Sequence, residues 1–289
     1  MGLLSGLGGL GLNNLEGMNL YENPEKPEKR DLGENGANNN EQDAKAKTVD
    51  ETEFLLEKSF ECPVCYKKFK SLGMRAGKGK LVRTESDLRP IYEGIEPLKY
   101  EVIMCPTCGC AALPKYWGIL TDMQRKNIKD NIGRAFKTKI YTENTYSYED
   151  ALERYQMALA NSIIKQAKNS ERAYICLKAG WLLEAQAESL DVNSSDYDAK
   201  KSELENRSDE FLKNAMEGLI SARQSEHFPI CGMDEPTLDY LIAALSVKFG
   251  EYNQAAKLVG NILTSRSANT RIKDKARDLK EEIIIALKK

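Results

Sequence analysis

The spacing of hydrophobic and polar positions divides the chain into four stretches. Over residues 1–20, leucines alternate with glycines (Leu3, Leu4, Leu7, Leu10, Leu12, Leu15, Leu20). That stretch is apolar enough to dock on a surface but too rich in glycine to hold a helix alone. It predicts a weakly ordered tail, with docking on protein or, weakly, on a membrane surface as the alternative. Residues 21–53 carry Pro24, Pro27, the run Asn38-Asn39-Asn40 and mainly acidic charge, which predicts a solvated, disordered linker. Folded structure is expected from about Phe54, so residues 1–53 form a tail and linker.

From Phe60 to about Trp117 the pattern turns to short β-like runs punctuated by Gly and Pro, such as Gly79–Arg83 and Tyr100–Met104. Beyond Gly118 it is helical almost to the end, and only Pro229 and Pro236 interrupt it. The last helix shows the period clearly: Ile272, Ala276, Leu279, Ile283 and Leu287 share one face. Tyr252-x2-Ala255 with Val259 and Ile262, preceded by Gly250 and by Ala243 on the previous helix, places small residues where tetratricopeptide helices cross. Tyr148-x2-Ala151 with Tyr155 and Ala158, leading into 173–190, is a weaker copy. A generic antiparallel helical array fits the same spacing. The expected fold is α+β and mostly α, with a small β module at 54–118 followed by a helical, tetratricopeptide-like array at 119–289. Stacked helices with a groove more often bind proteins or peptides than catalyse.

The candidate chemistry lies in the β module. Cys62-Pro63-Val64-Cys65 and Cys105-Pro106-Thr107-Cys108 are two C-x2-C pairs. Each such turn brings two sulfurs to one side of a tight knuckle, and two knuckles complete a tetrahedral thiolate shell at about 2.3 Å. Cys62, Cys65, Cys105 and Cys108 are therefore candidate ligands of a structural zinc ion, with iron of the rubredoxin type as the rival. The second knuckle ends in Gly109, suited to a left-handed turn, whereas the first has Tyr66 at the equivalent place, at a small cost in strain. The 39 residues between Cys65 and Cys105 exceed the roughly 15 to 20 of the simplest paired pattern, so the metal would clamp a β insertion, as in a zinc ribbon. Its loss would then unfold that module and spare much of the helical signal. Cys110 reads as a spare thiol, or as the exchanging thiol of a redox or metal sensor. Cys176 and Cys231 read as small apolar fillers. His227, the only histidine, reads as a loop or helix-end residue.

Composition narrows the classes. A net charge of −2 and 30% charged residues give no global polyanion signature. Locally, eight Lys or Arg stand between Tyr66 and Arg89 against Glu85 and Asp87. Lys67, Lys68, Lys70, Arg75, Lys78 and Lys80 are thus candidate nucleic-acid or phosphate contacts, although basic neighbours would also offset the charge of four thiolates. The run Gly73–Lys80 fails the phosphate-loop pattern in every register. No apolar run approaches the about 18 to 20 residues of a membrane span, and residues 1–6 lack the basic region of a signal peptide. Position 6 holds Gly where myristoylation favours Ser or Thr. A cytoplasmic location is expected, and no catalytic constellation surrounds the single histidine.

The ordered set Phe60-Glu61-Cys62-Pro63-Val64-Cys65-x2-Lys68-Phe69, Asp87-x2-Pro90-x-Tyr92-x-Gly94-x2-Pro97-Leu98-x-Tyr100-x-Val102 and Cys105-Pro106-x-Cys108-Gly109-x-Ala111-Ala112 resembles the bacterial family known as domain of unknown function 2225. The resemblance covers roughly residues 55–270. It implies the same four cysteine ligands and a tetratricopeptide-like helical half, and it implies no activity. Tyr66 and Cys110 depart from the family pattern, where glycine and an aromatic residue are commoner. The expectation is a non-enzymatic zinc-binding adaptor holding a protein or peptide in its helical groove. The alternatives are a nucleic-acid-binding zinc protein using the 66–89 patch and a thiol-based sensor.

Overall fold

The computed structural model describes residues 2–15, 18, 20–21, 50–139 and 143–288. Most of the expected linker lies outside the described residues. Its last residues form a short 3₁₀ turn, Glu51–Phe54, capped by Asp50.

Three antiparallel hairpins come first among the described elements: β1 (Leu55–Glu61) with β2 (Lys68–Met74), β3 (Leu81–Thr84) with β4 (Pro90–Tyr92), and β5 (Ile103–Met104) with β6 (Ala111–Ala112). The Gly79–Arg83 expectation becomes β3. Tyr100–Met104 keeps only its last two residues as strand, because Pro97 opens a 3₁₀ turn through Tyr100 and the Glu96 carboxylate accepts from the Leu98 N–H at 3.0 Å.

Seven helices follow: α1 (Asp122–Ile128), α2 (Tyr148–Ile164), α3 (Asn169–Glu188), α4 (Tyr197–Ser225), α5 (Glu235–Lys248), α6 (Tyr252–Thr264) and α7 (Thr270–Ala286). The fold is α+β and mostly α. Helix α3 packs against both α2 and α4, and α6 against both α5 and α7. Ala243 and Ala255, on the paired α5 and α6, are fully buried. Ile272, Ala276, Leu279 and Ile283 form the buried face of α7, whereas Leu287 lies beyond the helix end and is 56% exposed. Among the described residues no helix is long and apolar enough to cross a membrane.

Strands and helices separate in sequence order yet share one core. Cys62, Val64, Leu98, Val102, Met104 and Cys105 belong to the same buried cluster as α2–α7. Helix α2 is the centre of this core: every residue from Arg154 to Ile163 is buried, so its polar side chains must find partners inside the protein. The metal module is therefore not a detachable insertion.

The turn between β3 and β4 ties the strands to the far helices. Trp181 Nε1 donates to Asp87, Tyr240 Oη to the Ser86 carbonyl (2.7 Å) and Lys275 Nζ to the Glu85 carbonyl (3.2 Å). Arg89, buried beside them, pairs with Glu188 and approaches Glu184. Asp87 of the family motif is thus a docking residue.

The leading segment differs most from expectation. Leu4, Leu7, Leu10, Leu12, Leu15 and Leu20 are each at most 4% exposed and lie in the common core. Composition reads as a tail because glycine-rich sequence lacks helix propensity. Burial against the helices overrides it, each leucine contributing about 1.5–3 kcal/mol.

Burial also raises Glu96 to about 7, with smaller effects that oppose one another from the Leu98 N–H and Arg89, which lower it, and from Glu101 and Glu188, which raise it. A carboxyl raised on folding stabilises the fold below its unfolded value and loses that contribution as pH rises toward 7. Glu96→Gln keeps the acceptor for Leu98. It should be close to neutral at pH 4.5 and stabilising by up to about 3 kcal/mol at pH 8, at about 1.4 kcal/mol per pKa unit, in urea unfolding.

Candidate metal centre

Two equivalent turns build the site. In the first, the Cys62 N–H donates to the Lys67 carbonyl (3.0 Å) and the Tyr66 N–H to the Cys62 carbonyl (2.9 Å). In the second, the Cys105 N–H donates to the Cys110 carbonyl (2.8 Å) and the Gly109 N–H to the Cys105 carbonyl (3.0 Å). Both knuckles are hairpin ends, between β1 and β2 and between β5 and β6. Each turn places its two sulfurs on one side and directs peptide N–H groups at them, as from Val64 to Cys62 Sγ at 3.4 Å.

The four ligand atoms lie within 4.8 Å of one another. Cys62 Sγ and Cys108 Sγ are 3.5 Å apart, and Cys65 Sγ and Cys105 Sγ 3.7 Å. The edge of a tetrahedron with bonds of about 2.3 Å is about 3.8 Å, close to these two separations, so the four thiols are grouped as a single ion would need. Cys62, Cys105 and Cys108 are buried and Cys65 is half-buried. Charge crowding points the same way. Contacts with Cys105, Cys108 and Cys110 hold the Cys62 thiol far below the usual range, while contacts with Cys105 and Cys62 push Cys108 far above it. Four thiolates at this distance need a cation.

Helix α2 and an aromatic trio hold the knuckles in place. Asn161 Nδ2 donates to the Gly109 carbonyl (2.9 Å), and the Arg154 guanidinium donates to the Val102 carbonyl (2.7 and 3.2 Å) and to Ser71 Oγ (2.8 Å). Phe60 and Phe69, opposed across β1 and β2, pack with Trp117 at centroid separations of 5.8 to 6.1 Å. Sequence spacing missed Arg154 and Asn161. The available signal was polar residues inside an otherwise apolar helical run.

Tyr66 and Gly109 occupy the same left-handed position, at φ 59° and 66°. Only the second is enclosed: a Cβ on Gly109 would lie 2.5 Å from Phe136 and 2.8 Å from Met157. Tyr66 is 64% exposed, so the first knuckle carries strain but no clash.

Cys110 is buried with its thiol against Cys62, a contact that, with burial, raises it well above the usual range. It lies outside the four-cysteine group. Cys176 is a buried filler, but Cys231 is half-buried in a left-handed turn, donating to the Ser170 carbonyl at 3.2 Å. His227 is exposed between α4 and α5.

The basic stretch is partly neutralised. Lys70 pairs with Glu57 (2.7 Å), Lys80 with Glu93 (2.8 Å) and Arg83 with Glu85 (2.7 Å). Arg75 Nε donates to the Leu55 carbonyl. Lys67, Lys68 and Lys78 are exposed. Glu57 and Glu93 lie outside the 66–89 window, so local counting overstated the excess.

The family described as an uncharacterized protein conserved in bacteria, DUF2225, matches residues 55–283. The chain belongs to this family. No curated protein and no solved structure matches it. The matched region begins at the first residue of β1 and ends in α7, so it holds both knuckles and leaves out the leucine segment.

Gly109→Ala should destabilise the fold by at least about 2 kcal/mol through strain and overpacking. Tyr66→Gly should stabilise it by about 0.5 kcal/mol, the left-handed cost less the chain entropy glycine adds. Thermal unfolding of the two variants checks this opposite response.

Proposed function

We propose that the protein is a non-enzymatic scaffold in which a structural zinc ion, held by Cys62, Cys65, Cys105 and Cys108, locks two knuckles onto a tetratricopeptide-like helical array that binds a protein or peptide partner. The closed shell of four thiols carries this reading. It leaves no coordination position for a substrate or an activated water, unlike a catalytic zinc site. Thiolate donors favour zinc, with iron as the rival. The paired helices and their buried alanines support the array. The lack of a membrane-length helix among the described residues accords with a cytoplasmic scaffold.

Elemental analysis is expected to find one zinc per chain, lost in Cys105→Ser. Since the knuckles share their core with the helices, chelation should lower the tryptophan and far-ultraviolet transitions together. Two separate transitions would show an independent metal module. Affinity capture with the full-length chain in its native cells should retain a stoichiometric partner, and retention of none would sink the adaptor reading.

A second reading, nucleic-acid binding at the first knuckle, is favoured by the exposed Tyr66 beside the exposed Lys67 and Lys68. An aromatic face next to unpaired cations suits single-stranded nucleic acid. It predicts a salt-dependent gel shift lost on changing Lys67 and Lys68 to Glu, and no binding at low salt removes it.

A further inference from the structure

The leading leucines repeat at every third position, Leu4, Leu7 and Leu10, then Leu12 and Leu15. Leu7 and Leu10 lie in one 3₁₀ turn, Leu7–Leu10, and Leu15 in another, Asn13–Leu15, while Leu4 precedes the first turn and Leu12 stands between the two. The segment's own main-chain hydrogen bonds are local turns, for example from Leu12 N–H to the Leu7 carbonyl at 3.2 Å. It joins no sheet.

The folded body grips this segment largely by its main chain. Gln156 of α2, 4% exposed, donates through Nε2 to both the Leu3 and Ser5 carbonyls, at 3.0 and 2.7 Å. Arg172 of α3, 7% exposed, donates to the Leu20 carbonyl. The Lys137 N–H donates to the Leu10 carbonyl at 2.9 Å, and Tyr21 donates through its hydroxyl to the Asn214 carbonyl of α4. Gly11, at φ 83°, passes so close to the Ala135 carbonyl that a Cβ there would lie 2.3 Å from its oxygen. Buried side chains reading backbone carbonyls while leucines fill the apolar floor is how a groove holds a peptide.

We infer that the surface of α2, α3 and α4 is a binding groove for a leucine segment of three-residue spacing. Residues 2–21 fill it as an exchangeable intramolecular ligand, and the partner it fits is the same segment of a second copy of this chain. Twenty-eight residues, 22–49, separate the segment from Asp50 along the chain, a contour length of at most about 100 Å that is enough to reach a neighbouring copy. Covalent connection makes closure on the same chain an intramolecular event, so each chain closes on itself in dilute solution and exchanges when crowded. The matched family region starts at Leu55, beyond this segment, so the groove belongs to the shared fold and the occupant to the leading stretch. This deepens the reading of the helices as a binding array and is independent of the metal.

The test uses the full-length chain with a protease site placed within residues 22–49 and cut after folding. A fluorescent peptide of residues 2–21 should then enter the cut protein at one equivalent per chain, with the helical signal retained, and should be excluded from the uncut chain. Gln156→Ala, which removes two hydrogen bonds, should release the peptide about tenfold faster. No exchange in the cut protein, or collapse of helicity as the fragment leaves, would make the segment a fixed part of the core and overturn the inference. Two differently labelled full-length chains, concentrated together and diluted, should form mixed dimers, and monomers alone at every concentration would overturn the second-copy assignment. If the peptide exchanges and no external partner is captured from cells, only the adaptor reading falls.

Discussion

The burial of α2 on every side is the constraint from which the rest of the structure follows. A helix enclosed in this way cannot leave polar side chains to water, and each unsatisfied group would cost about 1–3 kcal/mol. Arg154, Gln156 and Asn161 therefore spend their donors on carbonyls of three separate segments, at Val102, at Leu3 and Ser5, and at Gly109. One helix thus sets the approach to the second knuckle, the turn inside that knuckle and the path of the leading segment. Packing and the pairing of these donors act together here, although Asn161 Oδ1 finds no partner, so the candidate metal site and the leucine segment are two consequences of one buried template.

The metal centre has an uneven character that follows from this placement. The second knuckle is pressed into the core, where Gly109 has no room for a side chain, while the first faces outward and tolerates Tyr66 in a left-handed conformation. Clustered thiols repel one another once ionised, so a bound cation both closes the shell and relieves the crowding. A metal bond between the knuckles would also tie strands to helices, since both share one buried cluster.

Much of the helical half's inward surface is covered by the chain itself. The turn between β3 and β4 is held by Trp181, Tyr240 and Lys275, from α3, α5 and α7, and the leucine segment lies over α2, α3 and α4. In the leucine segment the contacts share a pattern: a main chain gripped by side-chain donors, and apolar residues at short, regular spacing. Asp87, legible in the sequence only as a motif residue, and Arg89, legible only as part of a basic stretch, acquire a physical role as the anchor of the β3–β4 turn contacts.

The sequence by itself determined the four cysteines that cluster as candidate metal ligands, the order of strands before helices, the buried face of α7 and the left-handed positions at Tyr66 and Gly109. These are local properties: C-x2-C spacing, the 3.6-residue period and the steric demands of a single turn are complete within a few residues. The tertiary structure alone decided that the glycine–leucine stretch is core, that Lys70 and Lys80 are paired and that Arg154 and Asn161 support the knuckles. Each of those outcomes depends on a partner outside the local window, from 13 positions away for Lys70 and Glu57 to 153 for Leu3 and Gln156. Composition and period carry no information about which distant surface will exclude water from a given residue.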